Sequence, residues 1–402
     1  MREQIHLVSM ASYPNLGDEL IARRWLRFLA EARPDAEVWL DTRHPGAAAL
    51  LFEGDHPRLR VTDTVFRLIE HQAEHSERSI AEYVTDLGTP LFDLQLMRLR
   101  EAGTIHLLGG GFLNAQWPIN AGITEAMRAV KQLSGARLIA TGQGLLPLLE
   151  TQVLDDFDHV SVRDEPSAEA AGAGAQLRPD DAFLTTTPAV RPLGLRTLLV
   201  CIQSDAIADG ALEHFVDQTA QYIENLGEAA PPVVYVEALP GGDYAGYAAL
   251  RDRVKIEEFV PFTRLWSGDF PLRADQGWIT TRFHHHLVGA LHGIRGIALS
   301  GSGDYYDVKH ESLRAAGSGW HIAALNSTAD QWPSLTSLRP DVDALNRARE
   351  EKLAEAAELY PAPTESGAAA AEPPVNTPEA SEAPSVRSRE SAVDLLRRLR
   401  RR

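Results

Sequence analysis

Short apolar runs alternate along the chain with longer stretches whose apolar residues recur every three or four positions. The run from Ile5 to Met10 predicts a strand, followed by a loop. A helix is then expected over 17–32, where Leu20, Ile21, Trp25, Leu26, Phe28 and Leu29 form one broad apolar face. Strands are expected at Glu37 to Leu40 and at Thr104 to Leu108, the latter ending in Gly109-Gly110-Gly111. A helical pattern covers 122–133, and strand-like runs cover 137–140 and 159–162. Strands that alternate with helices predict a parallel sheet.

The stretch from Pro179 to Gly194 carries three prolines and little periodicity, and is expected to cross to a second domain. The pattern then restarts. Strands are expected at 197–202, 233–237, 256–259, 278–281 and 296–300, with helices over 213–226 and from near Arg282 onward. The fold class is therefore α/β, with two Rossmann-like domains facing a cleft, over 1–190 and 191–360. Open α/β sheets bind ligands at the carboxyl ends of their strands, so the loops there carry the candidate chemistry. After Tyr360 the composition turns to Pro, Ala, Glu and Ser. Residues 361–402 are expected to be a disordered tail, because they offer too little apolar surface to offset their ordering entropy.

The 402 residues carry a net charge of -17. That field argues against nucleic acid as a partner, and an anionic ligand would need a local cluster of arginines. No apolar run reaches the roughly 18 residues that span a bilayer. The N-terminal MREQIHLVSM lacks the long apolar segment of a signal peptide. With a single cysteine, Cys201, in an apolar strand pattern, a cytoplasmic location is expected.

Four loop segments stand out. Asn15-Leu16-Gly17-Asp18-Glu19 joins a strand to a helix. Its acids suit a helix N-terminus, so a capped helix start explains it; Asn15 and the acids could equally face the cleft and bind sugar hydroxyls. Gly109-Gly110-Gly111 follows an apolar strand, where glycine lets backbone N–H groups approach a ligand, although a tight turn explains it too. Its spacing matches neither a dinucleotide fingerprint nor a Walker loop. In Ser161-Val162-Arg163-Asp164, Arg163 ends a strand and is suited to bidentate anion binding, or to a surface pair with Asp164. Finally, Thr280-Thr281-Arg282-Phe283-His284-His285-His286 opens an apolar helix. Arg282 and His284 at a helix N-terminus would converge on an anion. Adjacent helical residues point about 100° apart, so the three histidines cannot share one ion. No metal site is expected, and His286 and His292 read as packed or surface residues.

NLGDE, LLGGGFLN, SVRDEPS, RPDDAFL and TRFHHHLVGALHGIRGIALS occur in this order. As an ordered set, spread over roughly residues 5–310, they resemble the polysaccharide pyruvyl transferase family. The sequence departs from the family pattern at Asp181, where proline often follows RPD, and at His285-His286, where more apolar residues are usual. The resemblance implies a two-domain fold similar to the B-type glycosyltransferases. It also implies transfer of the enolpyruvyl part of phosphoenolpyruvate to sugar hydroxyls as a pyruvate ketal, with no metal or other cofactor. It places Arg163, Arg282, Phe283 (by its backbone) and His284 on phosphoenolpyruvate, and Asn15, Gly17, Asp18 and Glu19 near the acceptor. Gly110 and Gly111 belong to the same expected binding loops.

Ketal formation needs a proton at the methylene carbon of the donor, and His284 suits that role or phosphate binding. Asp18, Glu19 or Asp164 would take the proton of the attacking hydroxyl. Two other readings fit the same residues: a nucleotide-sugar glycosyltransferase of this architecture, in which Arg282 and His284 cradle a diphosphate, and an inactive sugar-binding protein. The chain ends with seven arginines against Glu390 and Asp394 over 387–402, and Ala392, Leu395, Leu396 and Leu399 would line one helical face. Such a segment suits an anionic membrane surface, and with it a lipid-linked acceptor, or else the acidic body of the same protein.

Overall fold

A computed structural model describes residues 2–86, 93–149, 153–172, 174–301 and 303–361. Two parallel sheets organise it. The first contains β1 (Gln4–Val8), β2 (Glu37–Asp41), β3 (Leu59–Thr62), β4 (Thr104–Leu107), β5 (Arg137–Gln143), β6 (His159–Val162) and β7 (Gln176–Leu177), in the order β3-β2-β1-β4-β5-β6-β7. The second contains β8 (Thr197–Cys201), β9 (Val233–Val236), β10 (Glu258–Val260), β11 (Gln276–Thr280), β12 (Arg295–Ser300) and β13 (His321–Ala324), in the order β10-β9-β8-β11-β12-β13. Parallel strands are covered by helices on both faces and so read as near-continuous apolar runs. Ile5, Leu7 and Val8 of β1 and Leu198, Leu199, Val200 and Cys201 of β8 are all fully buried.

Each sheet grows outward in both directions from its first strand, so each has a topological switch point. In the first it lies between β1 and β4, in the second between β8 and β11. The loops that follow these four strands are where a doubly wound sheet binds its ligand. They contain Asn15 to Asp18, Gly109 to Gly111, Gln203 to Ala206, and Thr281 to His284.

The two halves share a core. Ile21 and Trp25 from the helix Leu16–Ala32 belong to the same apolar cluster as Leu287, Val288 and Leu291 from the helix Phe283–Leu291. The last described helix, Val342–Leu359, lies in the stretch expected to belong to the second domain, yet it returns to the first. Lys352 Nζ reaches Asp181 Oδ1 at 2.9 Å, Arg137 Nη1 donates to the Leu359 carbonyl, and the Tyr360 hydroxyl lies 3.1 Å from His106 Nδ1. Among the described residues no helix is long and apolar enough to cross a membrane. The expected tail, 361–402, lies outside the described residues past Pro361, and with it the basic amphipathic end.

Candidate active site

A cavity of about 470 Å³ opens where the two switch points face each other. Asn15, Gly17 and Asp18 line one wall, Arg282, Phe283 and His284 the other, with Arg163 and Lys309 beside them. The first turn of the helix Phe283–Leu291, capped by Arg282, points its N–H groups and its partial positive charge at this space.

His284 bridges the halves. Its ring lies against Gly17 so closely that a Cβ there would come 1.8 Å from Nδ1. On the other edge, Nε2 lies 3.5 Å from Asp180 Oδ1. The second oxygen of Asp180 accepts from Arg163 Nη1 at 2.8 Å, and the Arg163 guanidinium covers the Phe283 ring at 4.8 Å. Burial pushes the Asp180 carboxyl up, but His284 and Arg163 outweigh it and hold the group well below the usual carboxylate range. Asp180 therefore stays ionised and orients both side chains.

Asp18 sits beneath this pair. Burial raises its carboxyl, and His284, Arg163 and Lys309 pull it back, in that order. Asn15 Nδ2 donates to its Oδ2 at 2.8 Å, which fixes the carboxylate at the start of the helix. Lys309 comes from the helix Gly303–Ala315 and is 9% exposed. Burial, then Arg163, depress its ammonium well below the ordinary lysine value, against the pull of Asp18, Asp164 and Asp180.

Arg282 is held by two carboxylates. Its Nε and Nη2 donate to Asp243 Oδ1 at 2.9 and 2.5 Å, and Nη2 donates to Asp205 Oδ1 at 2.6 Å. Burial opposes its charge, but Asp243 and then Asp205 raise it further. Asp243 is fully buried, and its other oxygen accepts from the backbone N–H groups of Ala238 and Leu239.

The polysaccharide pyruvyl transferase family model matches residues 15–303, most of the chain, with Lys309 just beyond the matched stretch. The chain belongs to the polysaccharide pyruvyl transferase family. No curated protein matches it. Among solved structures it is similar to a UDP-N-acetylglucosamine 2-epimerase from Listeria monocytogenes, at 12% identity and a TM-score of 0.51, over 90% of this chain and 92% of that one. It is also similar to the UDP-GlcNAc 2-epimerase of Neisseria meningitidis, at 10% identity and 0.48 over 89% and 98%. Spinosyn rhamnosyltransferase SpnG matches at 16% and 0.49 over 89% and 98%. The likeness to the Listeria epimerase shows the fold, the two-sheet architecture of B-type glycosyltransferases and epimerases.

In this family member the cavity gathers most, but not all, of the residues expected from sequence. Asn15, Gly17, Asp18, Gly111, Arg163, Arg282, Phe283 and His284 line it. Glu19 does not. It is fully buried, and both its oxygens accept from the Ser12 N–H, at 2.8 and 3.0 Å, so it braces the loop behind the wall. Asp164 is turned away as well, because its Oδ1 caps the helix Glu165–Ala171 by accepting from Ser167 N at 2.9 Å. Arg163 accordingly pairs with Asp180 and not with Asp164. Gly110 lies behind the cavity wall, where a Cβ would clash with Phe112.

The three histidines diverge. His285 packs on Trp278 at 4.2 Å. His286 stacks on Trp320 and places its nitrogens 3.1 Å from His310 Nδ1 and 2.7 Å from Ser318 Oγ. Burial lowers both well below the usual imidazole range. Among the described residues no three His, Cys, Asp or Glu side chains gather as a metal site.

Sequence reasoning missed Asp180, Lys309, Asp205 and Asp243. Asp180 and Asp181 entered the sequence reading through the RPDDAFL block, Asp181 as a departure from the family pattern, with no role given to either side chain. They point in opposite directions. Asp180 serves the cavity, while Asp181 is fully buried and accepts from Trp25 Nε1, Gly109 N, Thr141 Oγ1 and Lys352 Nζ. A proline at position 181 could make none of these side-chain contacts.

Proposed function

We propose that this protein transfers the enolpyruvyl group of phosphoenolpyruvate to hydroxyls of a cell-surface polysaccharide or its precursor, forming a pyruvate ketal. The observation that carries the reading is the gathering of Arg163, His284 and Lys309 around Asp18 at the mouth of a helix N-terminus. Phosphoenolpyruvate brings two anionic groups on one small carbon frame. Cations on both walls, Arg163 and Lys309 on one side and Arg282 on the other, suit it by fixed electrostatic complementarity.

The chemistry assigns roles to the remaining groups. A proton from His284 adds to the methylene carbon, and positive charge develops on the adjacent carbon, which bears the phosphate oxygen. A sugar hydroxyl attacks that carbon and gives its proton to Asp18. Asp18 is the one expected base that lines the cavity, and burial makes its carboxylate more basic than an ordinary aspartate. A second hydroxyl of the same sugar then displaces phosphate, whose oxygen takes that hydroxyl's proton. Arg163 and Lys309 neutralise the departing charge. No cofactor enters the balance; the donor supplies every carbon and both carboxylate oxygens of the pyruvyl group, and His284 supplies the added methyl proton.

The test is incubation of the full chain with phosphoenolpyruvate and a panel of nitrophenyl and lipid-linked sugars, monitoring phosphate. Acceptor-dependent release of phosphate, with a ketal on the recovered sugar, supports the reading. Turnover of a nucleotide sugar in place of phosphoenolpyruvate would make the protein a glycosyltransferase of the same architecture. The basic segment 387–402 extends the proposal to a lipid-linked acceptor at an anionic membrane face. Equal binding to anionic vesicles by the full chain and by one ending at Tyr360 would remove that part.

A further inference from the structure

Arg282 has two anionic partners of different kinds. Asp243 fastens it from the buried side: this carboxylate is fully buried, takes two hydrogen bonds from the guanidinium, and is itself anchored by two backbone N–H groups. Asp205 is different. It comes from the loop after β8, its side chain is 43% exposed, and it lines the cavity together with its neighbour Ala206. Its carboxylate lies along the cavity-facing edge of Arg282, with Oδ1 at 2.6 Å from Nη2 and Oδ2 at 3.5 Å from Nη1. This fork-on-carboxylate geometry is also the geometry by which an arginine holds a phosphate or carboxylate of a ligand.

We propose that Asp205 is a built-in competitor for the donor's anion. The inference rests on the reading of Arg282 as part of the donor site. An arriving phosphoenolpyruvate displaces Asp205 from Arg282, and the half-exposed carboxylate moves into solvent while Asp243 keeps the guanidinium in place. The loop tolerates that movement because its fixed points lie in the backbone and in Gln203. The Ser204 N–H donates to the Gly242 carbonyl at 2.9 Å, and Gln203 Nε2 donates to the Asp205 carbonyl at 2.6 Å. Neither bond involves the Asp205 carboxylate.

Two consequences follow from the charge. A ligand must carry enough negative charge to outbid a carboxylate, so the site selects a phosphate-bearing donor over a neutral or weakly charged mimic. Donor binding is also weaker than the bare cation set would allow, which keeps release of the product phosphate easy.

The experiment is calorimetric titration of the full chain, wild type and Asp205→Asn, with phosphoenolpyruvate and separately with inorganic phosphate. Asparagine keeps the shape and removes the charge, and the side chain is exposed enough for the variant to fold. Both anions are expected to bind Asp205→Asn about tenfold more tightly, the value of one charge-assisted contact no longer contested. The gain is expected to vanish when Arg282→Gln is added, because the competition is for that guanidinium. Unchanged or weaker binding of both anions by folded Asp205→Asn overturns the proposal and makes Asp205 a fastener of the loop. Tighter phosphate binding by the variant, in a protein that ignores phosphoenolpyruvate, retains the competitor and removes the donor reading. Absence of binding by both anions, to wild type and to variant alike, removes both.

Discussion

The His284 ring rests directly on the Cα of Gly17, where a single added methyl would lie 1.8 Å from Nδ1. The contact joins the first turn of a helix in one half of the protein to the first turn of a helix in the other. It sets how far His284 stands from Asp18 and from Asp180. Gly17→Ala therefore forces the histidine to swing away while leaving the helix Leu16–Ala32 a better helix former. Displacement of a catalytic group by about 1 Å costs on the order of a hundredfold in rate. Phosphate release from phosphoenolpyruvate should fall by about that factor, with a thermal midpoint no lower than that of the wild type. Full activity in Gly17→Ala would show that the position of His284 does not matter.

Lys309 is expected to make donor binding pH-dependent. Burial lowers its ammonium well below the ordinary lysine value, so it gives up its proton at a pH where surface lysines keep theirs. A bound anion favours the charged form. Binding of phosphoenolpyruvate should therefore take up a proton, and its affinity should fall as the pH rises through the lowered value. Calorimetry in buffers of different ionisation enthalpy measures the uptake. Lys309→Arg, which stays charged, should flatten the profile.

Glu19 burdens the fold at alkaline pH. Burial raises its carboxyl to about 8, mainly by desolvation, although Ser12 donates to both oxygens. An acid raised above its unfolded value of about 4.3 binds its proton more tightly in the native state. Its stabilisation is present below that unfolded value and is lost as the pH rises through about 8. Glu19→Gln should therefore be more stable than the wild type at pH 9 by on the order of a few kcal/mol, with little gain at pH 4. Denaturant unfolding at the two pH values checks this, and equal stability at pH 9 would contradict it.

Lys352 holds the helix Val342–Leu359 to the first domain through charge. It is fully buried between Asp181 at 2.9 Å and Glu355 at 2.6 Å, and Glu355 also accepts from His159. Lys352→Met leaves Asp181 buried without its cation, which should cost about 3–5 kcal/mol. Asp181→Asn in the same chain should recover part of that loss, because the uncompensated charge is gone. Urea denaturation of the single and double variants measures both effects.

The alternation of strands and helices was legible because parallel strands buried on both faces leave unbroken apolar runs, as in β1 and β8. The short strands β3, β7 and β13 carry no such run. The helix Val342–Leu359 is rich in charge, and what it buries includes Lys352 and Glu355, which no apolar periodicity reveals. At the site, Arg163, Arg282 and His284 could be found because each stands where a strand gives way to a helix. Lys309 lies mid-helix in a polar stretch, and Asp205 and Asp243 matter only through the side chain they meet. Glu19 and Asp164 looked chemical in sequence because helix starts and loop braces draw on the same acidic residues as active sites do. Only the direction of the side chain separates the uses.

On the proposed function, the cavity takes phosphoenolpyruvate between Arg163 with Lys309 and Arg282. Titration of the full chain with phosphoenolpyruvate, and with a uridine nucleotide in parallel, tests it most directly. One equivalent of phosphoenolpyruvate should bind the wild type. Binding should weaken by at least about tenfold in Arg163→Gln, since a charge-assisted contact is worth roughly 1.5–3 kcal/mol. A folded wild-type protein that binds the nucleotide and leaves phosphoenolpyruvate in solution would contradict the account.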